Sequence, residues 1–362
     1  MTMSVHAFRG RRWTAWLVAA TLAFGGAAWA QDSAAPDTAW MVKNRLQGKI
    51  KKGEAEKSED ASGLACAPGD IPRLCLAVDD ETQGAQIVIL EEHMLVAGEF
   101  IRLNRDNHKG KPLELDAEGV AYADGFFYVV GSHGRPRHES SKKKEARNDA
   151  KAAATRKIFR VALSGDNVDL VTGELKSDPK IAGSTALSDL LQKDPVLAPF
   201  FDRPLEENGI SLEGLAVRDG DLYAALRGPV IDGQALIARV PLAAIFDGKA
   251  GALTLHRLAL GTDSHGDARG IRALTAEGDG FLLIAGPEND PADGKIAAGD
   301  YAVYAWKDAT EARKLLDLKS YGAKVKPEAL QVLGRTDDSL HALLLFDGGK
   351  EGMPTPVDIP LR

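Results

Sequence analysis

The chain has 362 residues, 44% apolar and 27% charged, which is ordinary globular composition and enough for one large core or two smaller ones. A formal charge of −7 argues against a general binder of phosphate backbones, and an aromatic content of 6% argues against a stacking surface for nucleic acid. No nucleic-acid partner is expected.

In chain order, the first element is a processing segment. Arg9, Arg11 and Arg12 precede an apolar run from Trp13 to Ala30, which closes on the small-x-small triplet Ala28-Trp29-Ala30. This pattern reads as a secretory signal peptide over residues 1–30, which makes the mature chain periplasmic or secreted. A bilayer span needs about 20 apolar residues, so the run is marginal for one, and an uncleaved anchor is the alternative. Cleavage leaves 42 basic and 52 acidic residues, a net of −10. No later segment is apolar enough to span. Residues 31–60 form an N-terminal segment that reads as solvated linker at 31–39 and 51–60. Its middle, around 40–50, is a candidate outer strand that would complete the last sheet. Cys66 and Cys75 flank the turn-rich "APGDIPRL". Two thiols in an exported chain are expected to pair, and closing so short a loop contributes about 2–3 kcal/mol in the chain-entropy model.

From residue 61 to the end a pattern recurs. A marker of the form Glu-Gly-apolar-Ala opens a short apolar strand, a Gly/Asp turn follows, and a second strand ends in a polar knot. The copies begin at Ser62, Glu118, Glu213, Arg269 and Glu328, with spacings of 56, 95, 56 and 59 residues. Third strands follow as "AQIVILE", "KIFRVAL", "QALIARVPL" and "YAVYAW", and fourth strands as "GEFIRL", "VDLVTGEL", "ALTLHRLAL" and "RKLLDL". Four antiparallel strands per repeat make a propeller blade. The expectation is an all-β propeller over residues 61–362 with five blades, six being the alternative. The long second interval carries two additions. One is a basic insertion at 135–157, with nine Lys/Arg against three acids and many helix formers; the other is a helical stretch within 177–209.

Propeller geometry then places the chemistry. The first strand of a blade starts, and the second ends, on the same face, so markers and knots ring one mouth of the central channel. The expected metal-side carboxylates are Glu118, Glu213, Glu328 and Asp80, since converging carboxylates need compensation, and calcium or magnesium with oxygen ligands supplies it. Arg227, Arg269, Ser132 and Asn289 are the candidates for holding an anionic ligand; Arg227, before the tight bend Gly228-Pro229, calls for an anionic partner. His133 and His265 are candidate acid/base groups. Carboxylates that merely stitch blades through backbone N–H groups are the alternative for Glu118 and Glu213. The basic insertion reads as a solvated helix or as an electrostatic lid. No Gly-x-Ser-x-Gly elbow, His-Glu-x-x-His pair or phosphate-binding Gly-Lys-Ser/Thr loop is present.

The segments "LDAEGVAYADGFFYVVGSHG" and "ISLEGLAVRDGDLYAALRGPVIDGQALI" resemble an exported bacterial family known as domain of unknown function 3616, over roughly 60–360. That resemblance implies a propeller and little chemistry. More loosely, the marker is similar to those of phytase-like esterase and calcium-dependent lactonase propellers, which would make Glu118 and Glu213 metal-side residues. Three readings of function stand at this point: a binder of an anionic small molecule or an envelope partner at the channel mouth, a metal-assisted hydrolase of esters or phosphoesters, and an interaction scaffold.

Overall fold

The computed structural model describes residues 39–136, 142–291, 294–308 and 310–362. The expected signal peptide, the linker up to residue 38 and residues 137–141 of the basic insertion lie outside the described residues. Five consecutive antiparallel sheets make five blades. The first runs through Ala61–Cys66, Arg73–Asp79, Gly84–Glu91 and Met94–Arg102. The second is Ala117–Ala123, Phe126–Gly131, Ile158–Ala162 and Ile181–Ser184; the third is Ser211–Arg218, Asp221–Gly228, Ala235–Pro241 and Thr254–Leu258. The fourth is Arg269–Glu277, Gly280–Pro287, Ala302–Trp306 and Arg313–Asp317; the fifth has three strands, Lys326–Arg335, Ser339–Asp347 and Thr355–Pro360. The inner strands contact one another in cyclic order, the fifth returning to the first.

Alternating apolar residues on both faces of each sheet pack against the next blade. Leu76, Ile87, Phe127 and Val129 fill the gap between the first two blades, and Tyr223, Phe281, Leu283 and Trp306 fill that between the third and fourth. Cys66 and Cys75 pair across the first two strands as a disulfide, with Cα atoms 3.9 Å apart.

Three local expectations take a different form. The stretch "VDLVTGEL" makes only a bridge between Val168 and Leu175, and the fourth strand of that blade is the later Ile181–Ser184. Met41–Lys43 runs parallel to Met94–Arg102 on the outer edge of the first blade rather than on the last. Residues in 51–60, read as linker, include Glu54–Lys57, which folds back on Gln47–Lys51 as a hairpin. The basic insertion forms the helix Lys142–Thr155 between the second and third strands of blade two, and the 177–209 stretch supplies the helix Ala186–Lys193.

Every inner strand carries a β-bulge near its start, and the residue skipped by the pairing is Ser62, Glu118, Glu213, Arg272 and Glu328 in turn. A bulge re-aims a side chain, here toward the channel axis. The next residue is Gly63, Gly119, Gly214, Ala273 or Ala329, and it must be small. A Cβ on Gly119 would lie 2.8 Å from the Cβ of Leu215 in the next blade. After it come Leu64, Val120, Leu215, Leu274 and Leu330, one per blade, which narrow the channel to a cavity of about 10 Å³. This apolar ring separates the two mouths.

Candidate functional site

The bulge ring corrects the register read from sequence. In blade four the position belongs to Arg272, 59 residues after Glu213 and 56 before Glu328. Arg269 lies three residues earlier, and its guanidinium is spent on the fold. It donates to the carbonyls of Asp300, Leu260 and Gly299 and to the hydroxyl of Tyr304. Arg269 is therefore placed as a packing residue rather than in the ligand-facing ring.

The ring divides into two halves of different electrostatic character. On one side Arg272, with no exposed surface, sits between two carboxylates: its Nε is 2.9 Å from Oε2 of Glu213 and its Nη2 bonds Oε1 of Glu328. Arg227 adds a second cation to Glu213, Nη1 to Oε1 at 3.0 Å, reaches Asp290 Oδ1 at 2.8 Å with Nη2, and donates to the carbonyl of Glu288. The anionic partner that Arg227 requires is thus already supplied by the protein, and two of the four expected metal-side carboxylates, Glu213 and Glu328, are neutralised by arginine.

The other half is carboxylate alone. Asp80, at the end of the second strand of blade one, Asp116, just before the inner strand of blade two, and Glu118, on its bulge, each bring an oxygen within 4.8 Å of the other two. The turn after Asp79 is tied to this segment by the Leu115 N–H donating to the carbonyl of Thr82 at 2.8 Å. Asp116 is left-handed (φ 53°), its carbonyl accepts the Ser132 N–H, and its Oδ2 accepts the Ser132 hydroxyl. Ser132 is therefore a positioning residue for Asp116. Oδ1 of Asp80 is sealed from solvent without a hydrogen-bond partner, and among the described residues no cationic side chain pairs with any of the three. Burial, reinforced by the charges of its neighbours, pushes Asp80 and Glu118 well above the usual carboxylate range; burial raises Asp116 to about 6. Nearby Asp79 and Asp347 are pushed to about 7, chiefly by burial.

Beside this cluster opens a pocket of about 290 Å³, walled by Asp116, Glu118, Glu213 and Arg227 and, from the basic insertion, by Arg135 and Lys151. Arg135 pairs with Asp149 at 2.7 Å and Lys151 with Glu114 at 3.4 Å. The insertion thus reaches the site through two side chains. Sequence reasoning missed Asp116 and Arg272. The repeat spacing admitted Arg272 as readily as Arg269, since the intervals are 56 and 59 residues in one order or the other, and the short stretch Asp116-Ala117-Glu118, which places two carboxylates at the start of a strand, pointed to Asp116.

The remaining candidates do not line this pocket. His133 is fully buried, its Nδ1 is 2.8 Å from the carbonyl of Gly131, and burial lowers it to about 4, so it is neutral. His265 is exposed on the turn that begins at Asp263, whose Oδ1 accepts the N–H groups of His265 and Asp267. Asn289 is exposed.

Among solved structures the chain is similar to a bifunctional GH43-CE protein of Bacteroides eggerthii, at 12% identity and a TM-score of 0.46 over 90% of this chain and 34% of that one. It is similar also to virginiamycin B lyase from Staphylococcus aureus, at 11% identity and 0.34 over 83% and 69%, and to a GH43 endo-arabinanase from Bacillus licheniformis, at 9% and 0.34 over 84% and 96%. The chain spans about a third of the length of the first of these. Likeness at this level carries no substrate to this chain. No curated protein matches it. Residues 71–352 match the family described as protein of unknown function (DUF3616), and the chain belongs to that family.

Proposed function

We propose that this propeller binds a divalent cation of the calcium or magnesium type through Asp80, Asp116 and Glu118, and through it an anionic ligand in the adjoining pocket. The observation that carries the reading is three carboxylates within 4.8 Å, one with a sealed and unpartnered oxygen. Carboxylates so placed are stable only when protonated or when a cation replaces the protons. An all-oxygen donor set suits a hard cation, which would leave coordination positions for water or an incoming anion. Loading would relieve the negative charge of the site: Glu114, Asp116, Glu118 and Glu213 of the pocket wall, with the third ligand Asp80, outnumber Arg135, Lys151 and Arg227 by two charges, which a dication cancels. Binding is preferred over metal-assisted hydrolysis of an ester because neither histidine that could move a proton lines the pocket: His133 is neutral and enclosed, and His265 sits on an exposed turn.

We also infer that the protein works outside the cytoplasm, as a periplasmic or secreted protein. The leader-like N-terminus and the Cys66–Cys75 disulfide support this. Among the described residues no helix is long and apolar enough to cross a membrane.

Elemental analysis of protein purified without chelator tests the cation site. About one equivalent of calcium or magnesium in the wild type, lost in a folded Glu118→Gln variant, supports the reading. A metal-free wild type that also fails to take up calcium or magnesium in a titration overturns it, leaving protons as what holds the cluster together.

A further inference from the structure

The opposite mouth of the channel has its own cavity, and its chemistry is unrelated to the carboxylate cluster. The inner strands that begin at Glu118, Glu213 and Glu328 run about 3.3 Å per residue, so their far ends lie roughly 20 Å away, beyond the apolar ring. There the turns of the blades enclose about 590 Å³, within the ~300–1,000 Å³ range of small-molecule pockets. Apolar side chains, Ala123, Val332 and Leu333 among them, share the lining with a larger portion of polar surface. The charged residues sit at the rim and are mostly matched, Arg218 with Asp219 at 3.2 Å and Arg335 with Glu277 at 3.3 Å. Asp124 stands exposed on its turn, where water solvates it.

Arg73 is different. It opens the second strand of blade one, is half-buried, and lines the cavity. Its Nε donates to the carbonyl of Ala67 at 3.1 Å and its Nη1 to that of Val332 at 3.3 Å. Both acceptors are neutral, and among the described residues no carboxylate pairs with it. A guanidinium has five N–H donors, so at least three remain for a ligand in a planar fork that fits a carboxylate.

We propose that this far mouth is a second binding site, for a small monoanionic carboxylate with an apolar body, its head held by Arg73 and its body against these apolar side chains. A single unmatched guanidinium neutralises one negative charge. A phosphate monoester dianion would leave one charge uncompensated beside Asp219 and Glu277, which is the reason for choosing a carboxylate. This inference does not rest on the cation site.

The test is calorimetric titration of the mature protein with octanoate, octanol and octyl phosphate. Octanoate is expected to bind at least tenfold more tightly than either of the others. Arg73→Met is expected to lose at least tenfold of that affinity. Because Arg73 also joins blade one to blade five, Ala123→Trp serves as a second variant that fills the mouth without touching those bonds. It is expected to abolish octanoate binding with its melting temperature unchanged, and Glu118→Gln is expected to leave octanoate binding intact. Equal binding of octanoate and octanol, preference for octyl phosphate, undiminished binding in Ala123→Trp, or no octanoate binding by the wild type would each overturn the proposal.

Discussion

Arg272 and Glu213 form an ion pair at 2.9 Å in which the arginine is wholly buried and the glutamate nearly so. The same arginine also bonds Glu328 in the next blade, so one cation from blade four clasps blades three and five at the axis. Breaking a buried pair by removing one partner typically costs about 3–5 kcal/mol, because the charge left behind has neither water nor counter-ion. Arg272→Met is therefore expected to lower unfolding free energy by about that amount in urea denaturation. Adding Glu213→Gln and Glu328→Gln should recover a large part of it. If the triple variant is as unstable as the single one, the loss comes from packing and not from stranded charge.

Glu118 should behave in the opposite way. It has the same place on its bulge as Glu213 but no cation beside it, so it is a liability of the folded state that function would explain. In metal-free buffer, Glu118→Gln is expected to raise the melting temperature by a few degrees, and Glu213→Gln to lower it. With millimolar calcium the wild type should gain stability while Glu118→Gln does not. A Glu118→Gln variant that melts below the wild type in chelator would show that Glu118 stitches the blades.

The pH dependence follows from the same groups. Asp60 and Asp116 are raised to about 6 and Asp79 and Asp347 to about 7, and Asp80 and Glu118 lie well above the usual carboxylate range. In the unfolded chain such groups titrate near 4. Each therefore holds its proton more tightly when folded. Its contribution is fully present below about pH 4 and is lost as the pH rises through the folded value. Metal-free protein should thus be more stable at pH 5 than at pH 8, measured by thermal melts across that range. Calcium should flatten the decline, since a bound cation does at high pH what protons do at low pH. A melting temperature that climbs from pH 5 to pH 8 without metal would contradict this.

The marker glycine has a steric role that one substitution isolates. Gly119→Ala places a Cβ 2.8 Å from Leu215 Cβ and 3.1 Å from its backbone N, closer than real contacts allow. Overpacking of this kind typically costs about 1–3 kcal/mol, so the denaturation midpoint should fall with its slope unchanged. An unshifted midpoint would mean that the inner strands can move apart.

Much of this was visible in the sequence because a propeller repeats its instructions. The Glu-Gly-apolar-Ala marker is one bulge, one close approach and one plug residue, and each of the three is dictated by the narrow axis. The reading slipped where a look-alike occurred: Arg269-Gly270-Ile271-Arg272 contains a glycine in the expected place, whereas the axis in that blade is approached by Ala273. The split of the ring into an arginine-clasped half and a bare half could not be read from strand periodicity. It depends on Arg227 and Arg272, which come from different blades and meet only in the closed ring. The first-blade edge strand Met41–Lys43 was misplaced for a related reason. Its three residues carry no signal of which sheet edge they join.

That edge strand also bears on how the ring is held shut. Apart from Met41–Lys43 on the edge of the first, each blade is made of strands consecutive in sequence, and the last blade borrows none from the N-terminus. First and last blades meet across a seam: a buried apolar cluster that joins Leu64, Ala77 and Leu90 to Ala329, Leu343 and Leu345, the Lys57–Glu351 ion pair, and polar contacts that include the Cys66 N–H on Gln331, Arg73 on Val332, the Trp40 N–H on Pro354 and a bridge between Asp60 and Asp347. The ring is therefore fastened like a bracelet with a clasp rather than woven into a continuous band. Parting the seam would leave every sheet whole but would expose that apolar cluster, so the clasp is held by burial as well as by hydrogen bonds.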